Sequence, residues 1–150
     1  MKQFDERQLH IRGQVFRHGM LTAIALLLIN AFLQGNNVVW ASGFHQNILI
    51  LTAILAVFSV EAILRGAYFA TGQIRGIIIG ILAVCMLLLA FFNVRDILQG
   101  AVLLENNALT DNGFSVACLV MHATITIAGA IKWLGENEKM KNKRNSPKSA

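Results

Sequence analysis

Proline is nearly absent from the 150 residues: Pro147 stands alone near the end, so no apolar stretch is broken by a ring that lacks a backbone donor. Charge is scarce too, at 14% of residues against 55% hydrophobic, and that balance excludes an ordinary soluble domain. Cysteine is limited to Cys85 and Cys118, both inside apolar blocks and at neither metal-ligand nor thioredoxin spacing. They say nothing about redox compartment. No Ser or Cys stands at a recognisable spacing from a His, and there is no His-Glu-x-x-His, no glycine-rich phosphate loop and no pair of acids on one helix face. An enzyme is not expected. A metal site would need His10, His18, His45 and His122, which the expected topology puts on different sides or depths, so neither metal nor other cofactor is expected.

The apolar residues are gathered into four blocks, and the mean hydropathy of the chain is +0.57. A soluble bundle would show a polar helix face every two turns, and an outer-membrane barrel would show short alternating strands. The sequence therefore predicts an all-α, polytopic protein with four transmembrane helices, over about 19–39, 48–69, 76–94 and 113–133. Residues 1–18 are polar, with Phe4, Ile11 and Val15 at roughly helical spacing, and read as a short amphipathic helix under the first span. Asp5 is its expected cap, with Gln8 completing a loose capping box. The first block has a long basic leader and no small-x-small cleavage pattern, so it is expected to remain as a span, with Trp40 at the interface.

The connection 70–75 is short, which makes spans two and three an antiparallel hairpin. Gly76-x-x-x-Gly80 offers a face for close helix contact. After Arg95 and Asp96, the recurrence of Val94, Ile97, Leu98, Ala101 and Leu104 predicts a helix continuing along the interface, followed by a turn over 106–112. Lys132 and Trp133 read as an interfacial stop, and 135–150 as a basic tail without structure.

Orientation follows from the basic residues. With both termini inside, 12 of the 13 Lys and Arg fall on the inner side and only Arg95 is outside, which predicts a bacterial cytoplasmic membrane protein with cytoplasmic ends. The net charge of +5 is then a property of the inner surface. Anionic lipid head groups, not nucleic acid, are its expected counterpart.

Glu61 and Arg65 stand four positions apart inside the second span, in the order that lets them pair on one face. Counting from the outer ends places Asn30, Ser59 and His122 at similar depth near the midplane, with Glu61 slightly deeper. Polar groups at such depth face the bundle interior and are candidates for function. The plainer reading of the same residues is structural: Glu61 tied to Arg65 or Arg75, His122 a buried hydrogen-bonding residue, and Thr124 and Thr126 bonded back to their own helix.

At the start of the chain, Asp5-Glu6-Arg7-Gln8 followed by Ile11-Arg12 resembles the opening of small, uncharacterised bacterial and archaeal four-helix membrane proteins with an Asp-Glu-Arg-x-x-x-Ile motif before the first span. Some of that group are encoded beside helix-turn-helix regulators. The resemblance implies a cytoplasmic motif, Asp5, Glu6, Arg7 and Arg12, that docks a soluble partner. The expected function is accordingly an interaction or regulatory protein that docks a cytoplasmic partner or anionic lipid. The alternative is a homo-oligomeric transporter or channel subunit whose path is lined by Glu61, Arg65, His122 and Asn30.

Overall fold

The computed structural model describes residues 6–67 and 75–145. Four helices follow one another: α1 (Glu6–Gly35), α2 (Gly43–Leu64), α3 (Arg75–Leu98) and α4 (Asp111–Asn145). Between α3 and α4 lies a hairpin of β1 (Leu104–Glu105) and β2 (Ala108–Leu109). Each helix contains a window long and apolar enough to cross a bilayer, for which about 20 residues suffice. The chain is an all-α, multi-pass membrane protein. Large apolar side chains such as Phe32, Leu87 and Phe91 are exposed, as suits a molecule whose solvent is hydrocarbon.

The helices stand in the order α1, α2, α4, α3. His18 meets Glu61 and Gln34 meets Gln46, so α1 and α2 are antiparallel. His45 meets Asp111 while Lys132 meets Leu64, so α2 and α4 run in parallel. Leu82 meets His122 and Gly76 faces Trp133, which makes α3 antiparallel to α4. Spans two and three therefore point in opposite directions as expected, but α4 lies between them and they do not form a hairpin. Small residues on α4 permit this: a Cβ on Gly129 would stand 3.4 Å from Ile79, and Ala128 packs with Ile63. Of the Gly76–Gly80 pair, only Gly76 meets another helix, at the Trp133 indole; Gly80 faces open space.

The first three helices stop in the same way. Asn37, Gly66 and Gly100 are left-handed (φ +57°, +74° and +88°), and the residue after each donates back to the carbonyl five positions earlier, as in Val38 to Leu33 at 2.9 Å. The first span thus ends at Gly35, not at 39, and the second begins at Gly43, where Ser42 Oγ accepts from the His45 N–H. The second ends at Leu64, several residues before the expected 69, since Gly66 supplies the stop. The third runs to Leu98, and Gly100 ends it there, so no helix continues along the interface; β1 and β2 follow, turning through Asn106 and Asn107, both with positive φ as a two-residue hairpin loop requires.

β2 reaches the other loop of the same end. The Leu109 N–H donates to the Trp40 carbonyl at 2.8 Å and Leu109 bridges Ala41, so 36–42 and 99–110 are joined. Gly113 closes the corner, because a Cβ there would collide with the Leu103 carbonyl oxygen.

The opposite end holds the start of α1 and the far part of α4. At about 1.5 Å per residue, α1 (30 residues) is about 45 Å long and α4 (35 residues) about 52 Å, against about 30 Å of hydrocarbon. Both overrun a bilayer at this end. The amphipathic segment over 6–18 is continuous with the first span, since no proline separates them. α4 continues as a helix past Lys132 and Trp133, and 135–145 is helical where no structure was expected; extending an existing helix through Glu, Lys and Met residues avoids the cost of nucleation. Residues 1–5, with Phe4 and the expected cap Asp5, residues 68–74, with Tyr68, and residues 146–150 lie outside the described residues, as do the side chains of Arg75 and of 139–145.

Candidate functional site: a polar ladder between α1 and α2

His10, Gln14 and His18 recur every four residues and so share one face of α1. Glu61 and Arg65 do the same in the last turn of α2 and at its cap. The antiparallel packing of the two helices sets these rows against each other. Arg65 Nη2 donates to Glu61 Oε1 at 2.9 Å, and His18 Nδ1 lies 2.7 Å from the same oxygen. With a carboxylate as acceptor, the ring proton sits on Nδ1. Arg65 Nη1 donates to Gln14 Oε1 at 3.0 Å, and Gln14 Nε2 meets His10 Nε2 at 3.1 Å. The result is a continuous chain of contacts from His10 to His18 by way of α2.

The ladder is graded in exposure. The Glu61 side chain is 18% exposed and that of Arg65 is 41%, so the acid is the inner member and the guanidinium the outer one. One turn away, Lys132 Nζ reaches across from α4 to the Leu64 carbonyl at 3.1 Å, placing a cation at the negative end of the α2 dipole. Gln8 Nε2 approaches the Gly66 carbonyl at 3.4 Å. Side chains from three helices thus converge on the C-terminus of α2.

The other intramembrane residues singled out above do not join this group. Asn30 is buried five residues from the end of α1, at the hairpin end, where it accepts from Trp40 Nε1 at 3.0 Å. His122 faces α3 and donates from Nε2 to the Leu82 carbonyl at 3.1 Å. Ser59 is half-buried on α2, two residues from Glu61 and so on a different helix face. A common midplane cluster of Asn30, Ser59, Glu61 and His122 does not exist, because Glu61 lies three residues from the end of α2 while Asn30 lies at the opposite end of the molecule. Thr124 and Thr126 bond to the carbonyls of Val120 and His122, as expected.

Glu6 and Arg7 are exposed in the first turn of α1 and Arg12 is exposed two turns on, all at the ladder end. Sequence reasoning missed Gln14 and His18 as the partners of Arg65 and Glu61. Their spacing with His10 was the available signal. It also missed the polar knot of the hairpin end, where Gln34 donates to Gln46 at 2.9 Å, Gln46 to the Ala41 carbonyl at 2.8 Å, and His45 stacks on Phe114 with centroids 4.3 Å apart.

Chemically, the ladder is one ion pair at the end of α2 and the hydrogen bonds of Gln14 and His18 that tie α1 to it. It holds no nucleophile beside a base. Comparison of the chain with protein-family models, with curated proteins and with solved structures finds no match, so the functional reading stands on this end of the molecule.

Proposed function

We propose that this is an integral protein of a bacterial cytoplasmic membrane, with both termini in the cytoplasm, that holds a soluble protein partner at the membrane surface. The observation that carries the reading is the overrun of α1 and α4 at one end: about 15 Å of α1 and about 20 Å of α4 are left once the hydrocarbon is crossed. These helical ends carry Glu6, Arg7 and Arg12 on one side and, in sequence, Lys139, Lys141, Lys143 and Arg144 on the other. The excess of basic residues at this end supports a cytoplasmic location. The ladder supports docking by holding α1 fixed on α2, so that a partner meets a preorganised surface.

The open order α1, α2, α4, α3 speaks against transport by a single chain, since the outer helices α1 and α3 have no extensive contact among the described residues. A path would need several copies. The test is to tag the C-terminus, solubilise native membranes gently and measure the mass and composition of what co-purifies. A soluble protein at fixed stoichiometry, lost on Arg7→Glu with Arg12→Glu and retained on Glu61→Gln, is the expected result. A bare homo-oligomer, together with flux across liposomes that Glu61→Gln removes, would overturn the reading in favour of transport.

A further inference from the structure

Two cavities flank the parallel pair α2 and α4. The larger, about 530 Å³, is walled by Ala53, Val57 and Val60 of α2 and by Val120 and Met121 of α4. Glu61 and Arg65 stand at its end. The smaller, about 220 Å³, lies toward the hairpin end between α1, α2 and α4, and Asn30 and Trp40 border it. Both are bounded by Ala53 and Met121, so they form one groove. From Leu49 to Arg65 this groove follows α2 for about 24 Å, most of the roughly 30 Å hydrocarbon thickness.

An apolar concavity of this size and length, open on one side to the membrane, takes hydrocarbon. Its polar end selects the head group. Arg65 has five N–H donors, and the contacts to Glu61 and Gln14 use two of them. The neighbouring acids already face cations: Glu61 meets Arg65, and Glu136 lies 4.0 Å from Lys132.

We propose that the groove between α2 and α4 binds one anionic glycerophospholipid, an acyl chain lying along Ala53 and Val57 and the phosphate at Arg65. This goes beyond partner docking and does not depend on it, since the groove opens to the membrane and the docking ends project from it.

The test equilibrates the full chain with vesicles of equal phosphatidylglycerol and phosphatidylcholine carrying the same acyl chains, then counts retained lipids by native mass spectrometry. One lipid per chain is expected, with the anionic head group enriched about fivefold, the equivalent of about 1 kcal/mol for one basic residue. Arg65→Gln should abolish the enrichment. Val57→Phe, which narrows the groove from its 43% exposed wall, should lose the lipid, whereas Leu87→Phe on the remote face of α3 should keep it. Ala53→Leu, at the junction of the cavities, is a second groove variant, and thermal melts identify the variants that fold. Retention without head-group preference in the parent chain, or unchanged retention in a folded Val57→Phe or Ala53→Leu variant, would overturn the proposal.

Discussion

His18 Nδ1 and Arg65 Nη2 converge on a single oxygen, Oε1 of Glu61, at 2.7 and 2.9 Å. One donor comes from α1 and the other from the same helix as the acid, so the carboxylate is at once an internal partner of α2 and its fastening to α1. A lone carboxylate near hydrocarbon is costly; shared between two donors, it becomes the point where two helices are joined.

Replacing Glu61 by Leu leaves both donors without their acceptor. The expected loss is about 2 kcal/mol of stability in detergent, in the range for uncovering hydrogen-bonding groups that are partly buried. Glu61→Gln keeps an acceptor oxygen and should lose about half as much. Unfolding followed by far-ultraviolet circular dichroism checks both. A double change, His18→Leu with Glu61→Leu, should cost less than the sum of the single changes, because the two residues share one contact.

Gly113→Ala places a methyl group on the backbone carbonyl of Leu103, which cannot rotate away as a side chain would. The corner between the hairpin and α4 must shift, and a loss of about 2 kcal/mol is expected, the scale of overpacking in a tight site. Gly80→Ala, which meets nothing within 4 Å, is the matched control and should be neutral or slightly stabilising in the middle of a helix. Parallel melts of the two variants decide the matter.

Four helices are legible in the sequence because apolar runs near 20 residues long have few other outcomes. Their ends are less so. They depend on Ser42 as a cap and on Asn37, Gly66 and Gly100 in left-handed conformation, and each of these is one polar or small residue inside a stretch that otherwise reads as loop or span. The Glu61–Arg65 pair is legible since both partners lie on one helix, four positions apart. Its continuation through Gln14 and His18 is not, because it depends on which helix flanks α2, and hydrophobic periodicity is silent about neighbours among helices that are apolar all round. The same ignorance made Asn30, Ser59 and His122 look like one cluster. Depth counted from misplaced ends carried the error. The far part of α4 was hidden for another reason: without an apolar face it has no periodic signal, yet it propagates from a helix already formed.

Cytoplasmic termini are expected to show in a labelling pattern. In a chain with Cys85 and Cys118 replaced by Ala, Val39→Cys and Glu105→Cys sit exposed at the hairpin end, and Arg7→Cys and Glu138→Cys exposed at the ladder end. A membrane-impermeant maleimide applied to intact cells should modify the first two alone, and the second two only after lysis. The reverse pattern would put the ladder outside, and with it the surface assigned to a cytoplasmic partner.

His122→Leu distinguishes a polar residue that packs from one that conducts. Its Nε2 donates to the Leu82 carbonyl, which is already an acceptor within α3, so removing the imidazole leaves that carbonyl satisfied. Interhelical hydrogen bonds of this kind contribute about 0.6 kcal/mol in membrane proteins, and the Leu side chain replaces apolar contact between α3 and α4. A loss of about 0.6 kcal/mol in the same unfolding measurement is therefore expected. Partner capture at the ladder end should be unchanged. If His122 instead belonged to a proton path with Glu61, its replacement would leave stability nearly the same but abolish proton flux into liposomes that contain the parent chain. The position of His122 on the α3 side of α4, turned away from the ladder between α1 and α2, argues for the first outcome.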